Sequence, residues 1–287
     1  MNGGIDKRQA RAAFNRAADS YDAHALLQRE VGGRLLERLD CLPLSPARVL
    51  DLGCGTGEFT RALGRRYRGA ELLALDLAER MLARTRQRFR WWRRPRLICG
   101  DMERLPLADH SVDLVFSNLA LQWSNEPARV FEELRRVLRP DGALFFTTLG
   151  PDTLRELRAA WAEVDGGTHV NRFMDLHDIG DALLAAGLRD PVTDMERLTL
   201  TYADLRGLLD DLRGLGAHNV NRDRPRTMTG KRRWQAFEAA YEVHRGADGR
   251  LPATWEIVYG HALGRDLATT AGGEVRVPVD ILRAPRR

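Results

Sequence analysis

The chain is short of lysine, of cysteine and of long apolar runs, and each shortage removes a class of protein. Of its 45 basic residues only Lys7 and Lys231 are lysines. The formal net charge of +5 is therefore carried by arginine. Such a skew follows from composition bias as readily as from an acidic partner, so charge is weighed only where it clusters. The three cysteines, Cys41, Cys54 and Cys99, form no Cys-x-x-Cys pair and have no histidine at ligand spacing. Neither a disulfide framework nor a metal site is expected, and the thiols read as free and at least half-buried. No apolar stretch approaches the roughly 20 residues of a membrane span, and the opening residues MNGGIDKRQARAAFNRAADSYD hold no signal-peptide core. The expectation is a cytoplasmic protein with no membrane partner. No internal repeat is visible, and low complexity is confined to an Arg/Pro-rich tail.

What is present is alternation. With 287 residues the chain can bury a large α/β core. Residues 7 to 40 read as one long helical stretch, with Phe14, Ala17, Ala18 and Tyr21 at helical spacing. RVLDLG is the first strand and GEFTRALGRRY the helix after it; ELLALDL and AERMLARTRQRFRWW repeat the unit. RLICGDM and VDLVFSNLAL are strands three and four, the latter a continuous apolar run suited to a sheet covered on both faces. PARVFEELRRVLRPDG is an amphipathic helix stopped by Pro140 and Gly142, and ALFFTTL is strand five. Beyond residue 150 come helices near 152 to 164 and 175 to 187, a strand MERLTLTY, helices near 203 to 214 and 229 to 245, and a last strand TWEIVYGHAL. The expected fold class is α/β, a doubly wound, mostly parallel sheet of seven strands, with a helical lid over about 203 to 252 inserted before the last strand. The implied division is a helical cap (1 to 45), a ligand-binding core (46 to 150), the rest of the sheet with its lid (151 to 264) and a flexible tail (265 to 287).

VLDLGCGTGEFT, residues 49 to 60, sets three glycines at alternate positions behind the first strand. Gly53, Gly55 and Gly57 spell G-x-G-x-G, not the dinucleotide pattern G-x-G-x-x-G. Glu58 at the next helix start competes for the dipole end that a pyrophosphate would need. The bare backbone still admits a ligand, and Asp51 at the strand end could receive an amino group. Asp76, followed by Leu77, closes the second strand, where a carboxylate accepts ribose hydroxyls. Asp101 closes the third, placed to accept from an adenine amine while the Met102 amide meets a ring nitrogen. One acid at the tip of each successive strand fits a nucleoside with an amino-acid tail and no phosphate, S-adenosylmethionine.

VLDLGCGTG, LALDLAERML, GDMERLPLADHSVDLVFSNLALQW and ELRRVLRPDGALFFTTLGPDTLREL resemble the class I, Rossmann-like S-adenosylmethionine-dependent methyltransferases. The flanks FNRAADSYDAHALLQREVGGRLLERL, VNRFMDLHDIGDALLAAGL, LTLTYADLRGLLDDLRGLGAHNVN and LPATWEIVYGHAL resemble, more narrowly, the malonyl-[acyl-carrier protein] O-methyltransferases of biotin synthesis. The likeness runs from about residue 6 to 264, and it is the flanks that carry the narrower family. It implies methyl transfer to the free carboxylate of a malonyl thioester on an acyl carrier protein. Gly53, Gly55, Gly57, Asp76, Asp101 and Met102 match the family's cofactor positions. Asn118 matches one near the methionine moiety, and Tyr21 matches an aromatic that closes over the cofactor.

A carboxylate is already a nucleophile at neutral pH, so no general base is expected. The work is to hold oxygen roughly 3 to 3.5 Å from the methyl carbon, in a site that excludes water. Candidate positioners are Gln122 and Trp123 after strand four, and His218, Asn219 and Asn221 in GAHNVN. Arg172 in VNRF is a source of charge for the carboxylate. An acyl carrier protein is acidic, and the densest basic cluster, Arg222, Arg224, Arg226, Lys231, Arg232 and Arg233, is the expected docking surface. Other readings stay open: a small-molecule methyltransferase with a different lid, or a regulator that binds the cofactor without turnover. A nucleic-acid partner is not expected, because Asn118-Leu119-Ala120-Leu121 stands where amino-methylating enzymes place a proline-rich polar tetrapeptide.

Overall fold

The computed structural model describes residues 4–216 and 230–264. Seven strands form one sheet: β1 (Arg48–Leu52), β2 (Glu71–Asp76), β3 (Arg96–Cys99), β4 (Val112–Ser117), β5 (Leu138–Leu149), β6 (Arg189–Tyr202) and β7 (Leu251–Leu263), in the order β3-β2-β1-β4-β5-β7-β6. The pairs among β1 to β5 are parallel and β7 alone runs against its neighbours. The helices are α1 (Lys7–Ala17), α2 (Tyr21–His24), α3 (Leu26–Arg38), α4 (Glu58–Arg66), α5 (Glu79–Gln87), α6 (Pro127–Val137), α7 (Arg155–Ala162), α8 (Leu176–Ala185), α9 (Leu205–Gly214) and α10 (Lys231–Glu242). On one face the apolar stripes of α3, α4, α7, α9 and α10 meet the sheet around Phe116, Phe145 and Trp255. On the other, α6 and α8 cover Leu50, Val115 and Phe146. The core strands are buried on both sides, which is why they read as unbroken apolar runs. Among the described residues no helix is long and apolar enough to cross a membrane.

The expected order of elements holds and several boundaries move. The N-terminal helix is broken twice, after Ala17 and at Ala25. Ser20 Oγ donates to the Ala17 carbonyl at 3.3 Å and takes an acceptor from the helix ladder. The helix over 127 to 142 stops at Val137, because Arg139 precedes Pro140 and is driven to extended backbone; residues 138–142 join β5 instead. β4 ends at Ser117 rather than 121, since Leu119 has a left-handed φ of 48° that no strand continues through. α5 stops at Gln87, and Trp91 and Trp92 follow in an exposed 3₁₀ turn. β6 begins at Arg189, earlier than its apolar alternation suggests, because it pairs along β7 from there. Of the cysteines only Cys54 is buried; Cys41 and Cys99 are exposed, contrary to expectation. The segment between β6 and β7 carries α9 and α10, and α10 sends Phe237 and Tyr241 fully into the core.

Candidate active site

Parallel register brings the strand tips to one edge. Asp76 sits opposite Cys99, so the acids of β2 and the turn after β3 end side by side. Below them lies a cavity that both acids line. Gly53 and Gly55 form its floor, with φ of 73° and 55°. A Cβ on Gly53 would stand 2.4 Å from the Ala120 Cβ. Gly57 lies off the wall: it caps α4 with φ 82°, and a Cβ there would strike the Thr85 side chain at 2.6 Å. Its bareness serves helix packing.

Asp76 is oriented from below. The Gly55 amide donates to Oδ2 at 2.9 Å and the Ala78 amide to Oδ1 at 2.8 Å, which leaves each oxygen a further lone pair for a ligand hydroxyl. Burial pushes its pKa up to about 6, with the Ala78, Gly55 and Leu77 amides pulling it part of the way back. Asp51 is not brought to the wall. It is buried, Thr60 donates to its Oδ2 at 2.5 Å, and burial raises it to about 7 against that bond. Leu77, Asp101, Met102 and Asn118 all face the cavity. Asn118 Nδ2 donates to the Gln28 carbonyl at 2.9 Å and Oδ1 accepts from Thr147, tying β4 to α3. Lys7, which the sequence reading left unassigned, reaches Asp101 Oδ2 at 2.5 Å and also pairs with Glu103. Its rarity was the signal available for it.

A second, larger chamber adjoins the first. Phe14, Tyr21, Leu119 and Trp123 line both. Trp123 meets Phe14 edge to face at 4.9 Å, and the Tyr21 ring lies 3.9 Å from where a Cβ on Gly55 would be. Burial drives the Tyr21 phenol well above its ordinary pKa, with the charges of Asp76, Asp22 and Glu58 adding to it, so the hydroxyl stays a neutral donor. Most of the chamber wall is apolar, including Leu149, Leu157, Trp161 and Leu212. Gln122 lines it, with Nε2 donating to the Leu119 carbonyl at 2.7 Å. Gln28 and His169 line it as well, and no local spacing had singled out either. Gln28 Oε1 is buried with no hydrogen-bond partner among the described residues. Arg172 is exposed and lies outside the chamber wall. His218, Asn219, Asn221, Arg222, Arg224 and Arg226 fall outside the described residues. Lys231, Arg232 and Arg233 are exposed at the start of α10, and Arg233 commits one guanidinium nitrogen to Asp165.

The bare floor at Gly53 and Gly55, the oriented ribose-type carboxylate and the second acid beside an amide-bearing turn fit S-adenosylmethionine. A family model described as a methyltransferase domain matches residues 50–146. The malonyl-[acyl-carrier protein] O-methyltransferase of Halorhodospira halophila is 52% identical over 99% of this chain and 97% of its own. That of Legionella pneumophila is 44% identical over 93% and 94%. Among solved structures, the YcgJ protein of Bacillus subtilis superposes with a TM-score of 0.58 at 17% identity, covering 83% of this chain and 99% of that one. A SAM-dependent methyltransferase of Thermotoga maritima gives 0.52 at 18% identity, over 88% and 99%. These two likenesses speak for the fold alone.

Proposed function

The chain belongs to the malonyl-[acyl-carrier protein] O-methyltransferases, and from that premise we propose that it methylates the free carboxylate of a malonyl thioester carried by an acyl carrier protein. The product is the methyl ester that primes pimelate synthesis for biotin. The observation that carries this reading is the shared wall of Phe14, Tyr21, Leu119 and Trp123, which joins the cavity of the strand-tip acids to a second, mostly apolar chamber.

When bound, S-adenosylmethionine supplies a methyl group made electrophilic by its sulfonium sulfur. Gly53 and Gly55 would give it a bare backbone to lie on, Asp76 would accept from its ribose, Asp101 and the Met102 amide would meet its base, and Asn118 would serve its methionine part. Tyr21, on the short helix freed by the break at Ser20, closes over the junction as a neutral donor. No residue needs to remove a proton, because the acceptor arrives ionised. The apolar wall keeps water from competing as acceptor and from solvating the carboxylate, so attraction between the opposite charges is little screened. Gln122 holds the Leu119 carbonyl and with it the left-handed turn that sets this part of the gate. The basic start of α10, Lys231 and Arg232, offers exposed positive charge to the acidic carrier.

Growth of a biotin-requiring bacterium that lacks this methyltransferase tests the reading. The full chain should restore growth without biotin. Failure of a well-expressed chain, with methyl transfer to small free acids in vitro, would move the assignment to the small-molecule rival.

A further inference from the structure

The acceptor chamber holds a charged cluster that none of the strand-tip residues explains. His169, on the loop between α7 and α8, lines the chamber with its side chain 15% exposed. Its Nε2 lies 2.8 Å from Asp165 Oδ1, which also accepts from the Gly167 amide at 2.9 Å. Arg233, from α10, reaches Asp165 Oδ2 at 2.5 Å. Trp161 stacks on the imidazole at 3.8 Å and on Phe237 at 4.1 Å, so the ring is clamped in one plane. Asp165 is itself only 12% exposed. Burial raises its pKa, but the Gly167 amide, His169 and Arg233 outweigh that and hold it below the ordinary carboxylate range.

An ionised Asp165 accepting from Nε2–H leaves His169 Nδ1 on the side of the ring away from that pair. A neutral ring would offer a lone pair there; an imidazolium offers an N–H. A malonyl carboxylate entering an apolar chamber needs one such partner, since an unpaired ion there is costly. Among the described residues Arg172 lies outside the wall, and Arg213, which lines it, is 65% exposed and bonded to Asp210 at 3.1 Å.

We propose that His169, held by Asp165 and Arg233, is the subsite for the malonyl carboxylate. The inference rests on the function proposed above for the same chamber. The imidazolium donates from Nδ1 to one carboxylate oxygen and leaves the other directed at the gate. Methylation turns the anion into a neutral ester, so the same subsite binds substrate and releases product. Asp165 and Arg233 act through His169 and are positioning residues.

The test uses steady-state kinetics with malonyl-carrier protein and S-adenosylmethionine. Its competitor is the carrier-bound malonamoyl thioester, in which a neutral amide replaces the acid. Wild type should favour acid over amide by about tenfold or more, the worth of one charge-assisted hydrogen bond. In His169→Gln and in the isosteric Asp165→Asn that preference should fall towards one. KM for the carrier-bound acid should rise about tenfold, kcat should change less, and cofactor affinity should be unchanged. If His169→Gln loses its melting transition, Arg233→Gln, which acts from outside the stack, carries the same expected loss of preference. Wild type that turns over while the folded variants keep their preference for the acid sinks the subsite alone. Wild type that makes no ester sinks the function reading and the subsite with it.

Discussion

At the scale of single residues, two carboxylates, Asp51 buried and Asp76 half-buried, give the structure its response to pH. Burial raises Asp76 to about 6 and Asp51 to about 7, both above the unfolded value of 3.8. Between roughly pH 4 and pH 7 the folded state therefore holds more protons than the unfolded chain, and the stability these groups contribute is lost as pH rises through that window. Asp51→Asn has nothing to titrate, so its melting temperature relative to wild type should climb from pH 4.5 to 7.5; a constant difference would contradict the assignment. Asp76 needs its charge to accept strongly from the ribose. Cofactor affinity measured by calorimetry should fall as pH drops below about 6, and Asp76→Asn should bind more weakly and without that dependence. Tyr21 is a different case, because its hydroxyl stays protonated throughout. Tyr21→Phe should leave cofactor affinity within about twofold and lower kcat about tenfold, the scale of one hydrogen bond made at the reacting centre. An equal loss in both would make Tyr21 a binding residue only.

Among the elements, the loop after β1 depends on the loop after β4. Gly53 stands at φ 73° and a Cβ there would meet the Ala120 Cβ at 2.4 Å. Gly53→Ala should weaken cofactor binding more than tenfold and lower the melting temperature, through the left-handed strain and the clash together; near wild-type affinity by calorimetry would show that the loop can give. The elements were largely legible in the sequence because both-face burial writes itself as apolar runs and glycine marks the turns. The ends were less so. Ser20 capturing the Ala17 carbonyl, Pro140 acting on Arg139 and the left-handed Leu119 are local competitions that periodicity does not register. The strand-tip lining of the first cavity, Asp76, Asp101 and Met102, was visible because parallel strands deliver their ends to one edge, and Asn118 came only from the family resemblance. The chamber half was not. Gln28, Trp161 and His169 come from α3, α7 and the loop beyond it, and only packing across the sheet face brings them together.

For the molecule as a whole, charge is the property that links site to partner. Lys231 and Arg232 stand exposed on α10, while Arg233 is drawn to Asp165 beside the chamber. The proposed docking surface and the acceptor chamber thus share one helix. Lys231→Glu with Arg232→Glu should raise KM for carrier-bound substrate, increasingly so at low salt, and leave a small malonyl thioester mimic unaffected. An equal rise for both substrates would remove α10 from the docking surface. The central claim, that two adjoining cavities bring a sulfonium methyl to a carrier-borne carboxylate, has a direct test in the intact mass of the carrier protein. After incubation of the full chain with S-adenosylmethionine, malonyl-carrier protein should gain the mass of one methylene on its acyl chain, and acetyl-carrier protein, which lacks the carboxylate, should gain nothing. No gain on the malonyl form, or the same gain on both, would contradict the account.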